Sequence, residues 1–290
     1  MNRLIAELSR LYFLPGQEWQ SLQNTGSVKP AYVTEGVLKT EVLAERLVTE
    51  SYVGLVLVSP SEMVRTLVIG FERGSDWEQV AALCQAVQEE LALPAPAISV
   101  SVEDGYQIWF SLTEPVPLQQ AREFLGGLRR KYLPDISGSR TKFRPGIEEH
   151  VNDVSQRVLP LMQVIKEPVE RWSAFVDPSM GSMFIDEPWL VMAPNLDKQA
   201  AMLAGVESIR MDDFLRALSI MQAGSEMDAV RVEKDASSGA QLASSLGEPG
   251  RFNDPKGFLI AVMNDPHIGV RDRIEAAKAL LPYFEGGTAK

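Results

Sequence analysis

Apolar residues first recur at helical spacing between Asn2 and Phe13, where Leu4, Ile5, Leu8, Leu11 and Tyr12 fall on one face. Pro15-Gly16 ends that helix. Residues 17–40 keep no sustained period and read as a loop, and a second helical stretch runs from about Thr40 to Thr49. The pattern then shortens to runs rich in Val, Ile and Leu. Tyr52–Ser59 (YVGLVLVS) and Arg65–Phe71 (RTLVIGF) read as strands around the turn Ser59-Pro60-Ser61. Asp76 stands where a cap would precede a helix from Trp77 to Leu91, whose Val80, Leu83, Cys84, Val87 and Leu91 line one side. Ile98–Val102 and Gln107–Leu112 form two more strands through the turn Glu103-Asp104-Gly105, and a helix follows from about Leu118 to Tyr132.

Strand, strand, helix, strand, strand, helix predicts an α+β domain, a mixed or antiparallel sheet with packed helices. Residues 134–145 (PDISGSRTKFRP) read as a polar, basic loop, and Glu148 to about Met162 as a helix. Strand and loop follow through Met192. Helical spacing returns over Leu196–Leu203 and Met211–Ala223. Residues 224–250, dominated by Asp, Ser, Gly and Glu, read as a linker. A C-terminal helical hairpin over 251–290 completes three expected parts, the first being an α+β domain over 1–223.

Composition narrows the class. No apolar run reaches the roughly 18 residues that span a bilayer, and the N-terminus lacks the apolar core of a signal peptide. The single Cys84 allows no intramolecular disulfide. A cytoplasmic protein without membrane contact is expected. The net charge of −11 argues against a surface that coats nucleic acid throughout. Yet residues 121–145 carry seven basic side chains (Arg122, Arg129, Arg130, Lys131, Arg140, Lys142 and Arg144) against Glu123 and Asp135, a net of +5. This island is either a solvated face or a phosphate-facing patch.

Chemistry is sparse. His150 and His267 are the only histidines, which leaves little for a histidine metal site, and Cys84 lies on the apolar face of its helix. Neither a phosphate-loop pattern nor a dinucleotide fingerprint is present. Two stretches stand out together: TLVIGFERGSDW (Thr66–Trp77) and SVEDGYQIWFSLTEPVP (Ser101–Pro117), the latter followed by a helix. This order resembles the archaeo-eukaryotic primase (primase-polymerase) superfamily over roughly residues 50–135, and more faintly over Arg171–Pro178 (RWSAFVDP).

In that family a hydrophobic strand ends in Asp-x-Asp, which holds two divalent ions. A hairpin Ser-x-x-Gly-Tyr-His-hydrophobic-Trp-Phe follows. Here the first Asp position falls on Gly70, the second on Glu72 and the His on Gln107. One carboxylate is too few for paired ions about 3.5–4 Å apart, and Gln107 cannot carry the charge of an imidazolium. A later acidic position could be Asp177, Asp186 or Glu187. The resemblance therefore implies a catalytically inactive member without a cofactor. An active metal-dependent primase or polymerase using Mg or Mn is the alternative, and an adaptor subunit without a nucleic-acid role is a third. Nucleic acid, DNA or RNA, would meet the seven basic residues, with Tyr106 nearest the turn as a base-stacking candidate.

The tail, DPKGFLIAVMNDPHIGVRDRIEAAKALLPYF, resembles a helical motif of phage small-terminase-like proteins and points to a phage or mobile element. Phe258, Leu259, Val262 and Met263 share one face, with Ile274, Ala277, Leu281 and Phe284 on another. These faces suit docking on a protein partner or self-association.

Overall fold

The computed structural model describes residues 1–23, 31–102, 104–147, 157–166, 169–222, 255–264, 273–274 and 276–280. The chain divides into two units, Met1–Ser225 and Glu226–Lys290. Within the first, the N-terminal periodicity becomes helix α1 (Asn2–Tyr12), with Leu4, Ile5, Leu8, Leu11 and Tyr12 all buried. A helix this short is marginal alone in water. Burial of these side chains, each worth about 1.5–3 kcal/mol, holds it against the sheet. Its last carbonyls are satisfied from outside: Arg65 Nη1 donates to Phe13 O at 2.7 Å, Thr66 Oγ1 to Tyr12 O at 2.7 Å and Ser111 Oγ to Leu11 O at 2.6 Å.

Residues 17–40, expected as a loop, contain two antiparallel strands, β1 (Glu18–Gln23) and β2 (Ala31–Val37). Their apolar alternation is weak because β1 buries a polar residue on each face, Gln20 bonding Thr34 and Ser21 bonding Glu35 of β2. After α2 (Thr40–Val48), β3 (Gly54–Val56) pairs with β1. Beyond it lie β4 (Met63–Phe71), α3 (Trp77–Glu89), β5 (Ala97–Ser101), β6 (Gly105–Pro117), α4 (Leu118–Tyr132) and β7 (Thr141–Arg144). The supposed basic loop thus ends in a strand. Strand β8 (Val158–Pro160) pairs antiparallel with β3, so the helix expected through Met162 is overturned over this stretch; residues 148–156 lie outside the described residues. A short apolar run such as VLPLM has no period that separates strand from helix, and the open edge of β3 decides it.

The chain continues through β9 (Val164–Ile165), β10 (Arg171–Trp172), β11 (Ala174–Val176) and α5 (Leu196–Ala204) to a helix α6 over 211–222. Among the described residues the larger sheets are β2-β1-β3-β8 and β11-β5-β6-β4-β7, both antiparallel. From β4 to β7 the order is β-α-β-β-α-β, with sheet order β5-β6-β4-β7, the split ferredoxin-like arrangement. The fold is α+β, as the pattern of elements predicts.

The two faces of the five-stranded sheet differ. Leu67, Ile69 and Phe71 of β4, with Ile108 and Phe110 of β6, join a core with α3, α4 and Phe214 of α6. On the opposite face Val68, Ala97, Trp109 and Phe175 pack with α1, α5 and the four-stranded sheet. The opposite face turns polar toward the Gly70 end of β4, where Gln107, Ser99 and Ser101 are buried.

In the second unit, α7 (Pro255–Asn264) leaves Leu259, Val262 and Met263 half-buried. Arg273 Nε donates to Met263 O at 2.9 Å. Helical residues 276–280 bury Ala276 and Leu280, while Ile274 faces solvent. Leu281, Phe284, the side chain of Phe258 and the expected linker lie outside the described residues. No helix of the described residues is long and apolar enough to cross a membrane.

Candidate functional site

Gly70 and Gln107 are direct cross-strand partners on β4 and β6. On its other side Gly70 pairs with Lys142 of β7, and Gln107 pairs with Ser99 of β5. Opposed residues of antiparallel strands share a face, so Lys142, Gly70, Gln107 and Ser99 form one row across the sheet. Arg144, two residues from Lys142, projects to the same side. The pairing slips by one residue at Gly70/Phe71, where Tyr106 is the extra residue of a bulge. Gly105 opens the strand with φ of +67°, and a Cβ there would lie 2.3 Å from Phe71 O. Glycine is required for that turn.

The turn delivers Asp104, 1% exposed, onto Gly70. One carboxylate oxygen of Asp104 accepts from Lys142 Nζ at 2.9 Å; the other accepts from Gln107 Nε2 at 2.9 Å and lies 2.7 Å from Arg144 Nη1. Lys142 Nζ also reaches Glu72 Oε1 at 3.3 Å. A chain of donors continues the row: Ser99 Oγ donates to Gln107 Oε1 at 3.1 Å, and Trp109 Nε1 donates to Ser99 Oγ at 2.8 Å. Burial drives the Asp104 carboxyl upward, but the Arg144 and Lys142 charges and hydrogen bonds outweigh it and hold the group below the usual carboxylate range. Two carboxylates and two cations make the cluster neutral.

These residues do not fit a pair of divalent ions. Gly70 supplies no side-chain oxygen, Gln107 is bonded to Ser99 and Asp104, and both nearby carboxylates are held by Lys142. Among the described residues no three His, Cys, Asp or Glu side chains converge as metal ligands. Asp104 is the central residue that sequence reasoning passed over as a turn. The available signal was an acid just before a buried strand Gln, together with Lys142 and Arg144 at strand spacing.

No family model matches the chain, and no curated protein is significantly similar to it.

The basic island is largely neutralised by acids from elsewhere in the chain. Lys131 pairs with Glu90 at 2.9 Å, and Arg140 pairs with Asp76, whose side chain is 1% exposed. Asp76 occupies the cap position of α3 without bonding its backbone, its carboxylate being turned to Arg140. Lys142 and Arg144 belong to the Asp104 cluster. Among the described residues Arg122, Arg129 and Arg130 form no ion pair. Arg122 Nε donates to Gly146 O at 3.0 Å, Arg129 lies over the Phe143 ring at 5.9 Å, and Arg130 is exposed.

Tyr106 offers no free ring face. It is fully buried, its ring centroid lies 5.2 Å from that of Trp77, and its hydroxyl donates to Gly181 O at 2.6 Å. Burial pushes its phenol up to about 12. Cys84 is buried as expected, its thiol pushed up to about 12 by burial, so it is no nucleophile. Asp177 caps its own turn through Ser179, and Asp186 and Glu187 are exposed.

Proposed function

We propose that this chain is a catalytically silent, primase-polymerase-like accessory protein that binds nucleic acid weakly and engages a protein partner through its C-terminal helices. The observation that carries the reading is the Asp104–Lys142–Arg144 cluster seated over Gly70. The two positions that would present metal and histidine chemistry are paired across β4 and β6, and an internally neutral ion network, with Asp104 and Arg144 buried and Lys142 and Glu72 half-exposed, lies against them. The frame suits a primase-like hairpin, while its polar groups are spent on one another.

Nucleic-acid contact falls to Arg122, Arg129 and Arg130, the members of the island that have no acidic partner among the described residues. Three neutralised phosphates on a single strand correspond to a slope of about −2 in log K against log salt, where seven would give about −5. The exposed Ile274 supports the docking role of the tail. The test is a titration of labelled single-stranded DNA, single-stranded RNA and duplex DNA across a salt series with the full chain. Binding with a slope near −2 is expected. No binding at low salt removes the nucleic-acid role, and Mg- or Mn-dependent primer synthesis lost in Glu72→Ala removes the silent reading.

A further inference from the structure

A second site lies away from the Asp104 cluster, in the segment between β11 and α5. A cavity of about 650 Å³ opens there, walled by Phe175, Met180, Phe184, Leu190, Met192 and Met202 among others. Its rim is apolar and open to solvent: the lining residues Met180, Val191 and Met192 are 46–74% exposed, and Met183 and Ile185 of the same segment are 72% and 40% exposed. Large apolar side chains exposed around one cavity mark an interaction surface.

The exposure does not come from a loosely held loop. The short 3-10 turn Pro178–Phe184 is clamped at Gly181, where a Cβ would lie 1.9 Å from the Trp77 ring and whose carbonyl accepts the Tyr106 hydroxyl. Toward the other end, Trp172 and Leu190 exchange backbone hydrogen bonds at 2.8 and 2.9 Å. The backbone is pinned, and it presents methionines outward. Unbranched thioether side chains repack readily around different apolar partners.

Apart from Lys198 at the exposed rim, the polar side chains of the wall are already engaged. Gln199 is bonded to both backbone groups of Phe175, the Asn195 side chain caps α5, and Asp177 Oδ1 accepts from Ser179. A small-molecule pocket has a few convergent polar groups that orient its ligand, and here Lys198 stands alone among otherwise committed ones. Charge selects the occupant. Asp177 and Lys198 line the cavity and offset each other, and Asp197 is paired with the N-terminal amine at 3.6 Å, which leaves the exposed Asp186 and Glu187, between the wall residues Phe184 and Leu190 in the chain, as the uncompensated charge of the segment. We infer that this Met-lined groove docks an amphipathic helix of a partner protein that has an apolar face and basic flanks.

The experiment uses the full chain with a fluorescent synthetic helix of alternating Leu and Lys turns, and a counterpart with Glu in place of Lys. The Lys peptide is expected to bind, and the Glu peptide at least tenfold more weakly. Met180→Ser with Met192→Ser should weaken Lys-peptide binding tenfold or more without altering net charge, and Asp186→Asn with Glu187→Gln should weaken it severalfold. Binding that ignores the methionine change is non-specific attraction to an acidic protein and overturns the inference. So does equal binding of both peptides. Concentration-dependent dimerisation abolished by the same methionine change overturns it in favour of a second copy, and uptake of a neutral fatty alcohol without peptide binding overturns it in favour of a small ligand. Circular dichroism and a urea melt check that each variant is folded. The outcome is independent of the nucleic-acid titration.

Discussion

Asp104 lies over Gly70 so closely that a Cβ built on Gly70 would sit 3.3 Å from the Asp104 Cβ and 3.6 Å from its Oδ2. The space that a side chain at Gly70 would enter is occupied by a carboxylate from the neighbouring turn. That carboxylate faces two cations of β7.

Placing an acid at Gly70 should therefore be destabilising. Gly70→Asp crowds a second carboxylate against a buried, already paired one, combining overpacking with uncompensated charge. A stability loss of about 2 kcal/mol or more is expected in urea unfolding, with no recovery on adding Mg or Mn. A bound ion at a hundredfold over its Kd would add about 2.7 kcal/mol. A divalent-dependent rise of that size would show that the site can take metal.

The Asp104–Arg144 pair should behave as a coupled buried pair. Asp104→Asn and Arg144→Met each strand a partner away from water, at about 3–5 kcal/mol. The double variant should lose less than the sum, with a coupling of about 0.5–3 kcal/mol. Additive losses in a urea double-mutant cycle would mean that the pair does not interact energetically.

The same network sets a pH window. Asp104 is held below its ordinary value, so its stabilisation is present above the unfolded pKa, about 3.9, and is lost as pH falls through the lower folded value. Burial lowers Lys142, but its bonds to Asp104 and Glu72 raise it more, so its share is present below about 10.4 and is lost as pH climbs through the raised value. The stability gap between the wild type and Asp104→Asn should be flat from about pH 5 to 9 and narrow on acidification. A gap that widened in acid would reverse the sign of the Asp104 shift.

Tyr106 should matter to stability and not to nucleic acid. Tyr106→Phe removes one buried hydrogen bond to Gly181, worth about 1 kcal/mol. Gly181→Ala should cost more, because its Cβ would overlap the Trp77 ring. Single-strand affinity should not change for Tyr106→Phe. For the ring itself, tenfold weaker binding by a stably folded Tyr106→Leu would restore a stacking role.

The basic residues should divide into two groups. Arg130→Gln should reduce the single-strand salt slope by about 0.7 and leave stability unchanged. Arg140→Gln should do the opposite: it abandons the buried Asp76 carboxylate, at about 3–5 kcal/mol, with little change in slope. Equal effects of both variants on the slope would mean that Arg140 is available to phosphate.

Local patterning was enough for much of the architecture. The spacing of Leu4, Ile5, Leu8 and Leu11 marks α1, the runs around Val68 and Ile108 mark the central strands, and the split order of elements marks an α+β layer. These features are properties of neighbouring residues and their period. The sequence also placed Gly70 and Gln107 on strands that prove to be paired.

Tertiary structure decided the rest, because the deciding partners are distant in the chain. Strands β1, β2, β7 and β8 have weak or short patterns and exist through ladder bonds to other strands. A net charge of +5 over residues 121–145 describes a segment, whereas ion pairing depends on proximity. Glu90, Asp76, Glu72 and Asp104, all upstream, neutralise most of it. Asp104 reads as an ordinary turn acid until β7 folds beside β4 and brings Lys142 and Arg144 to its carboxylate. Hydrophobic period is legible along a chain; charge complementarity across a sheet becomes legible only once the strands are side by side.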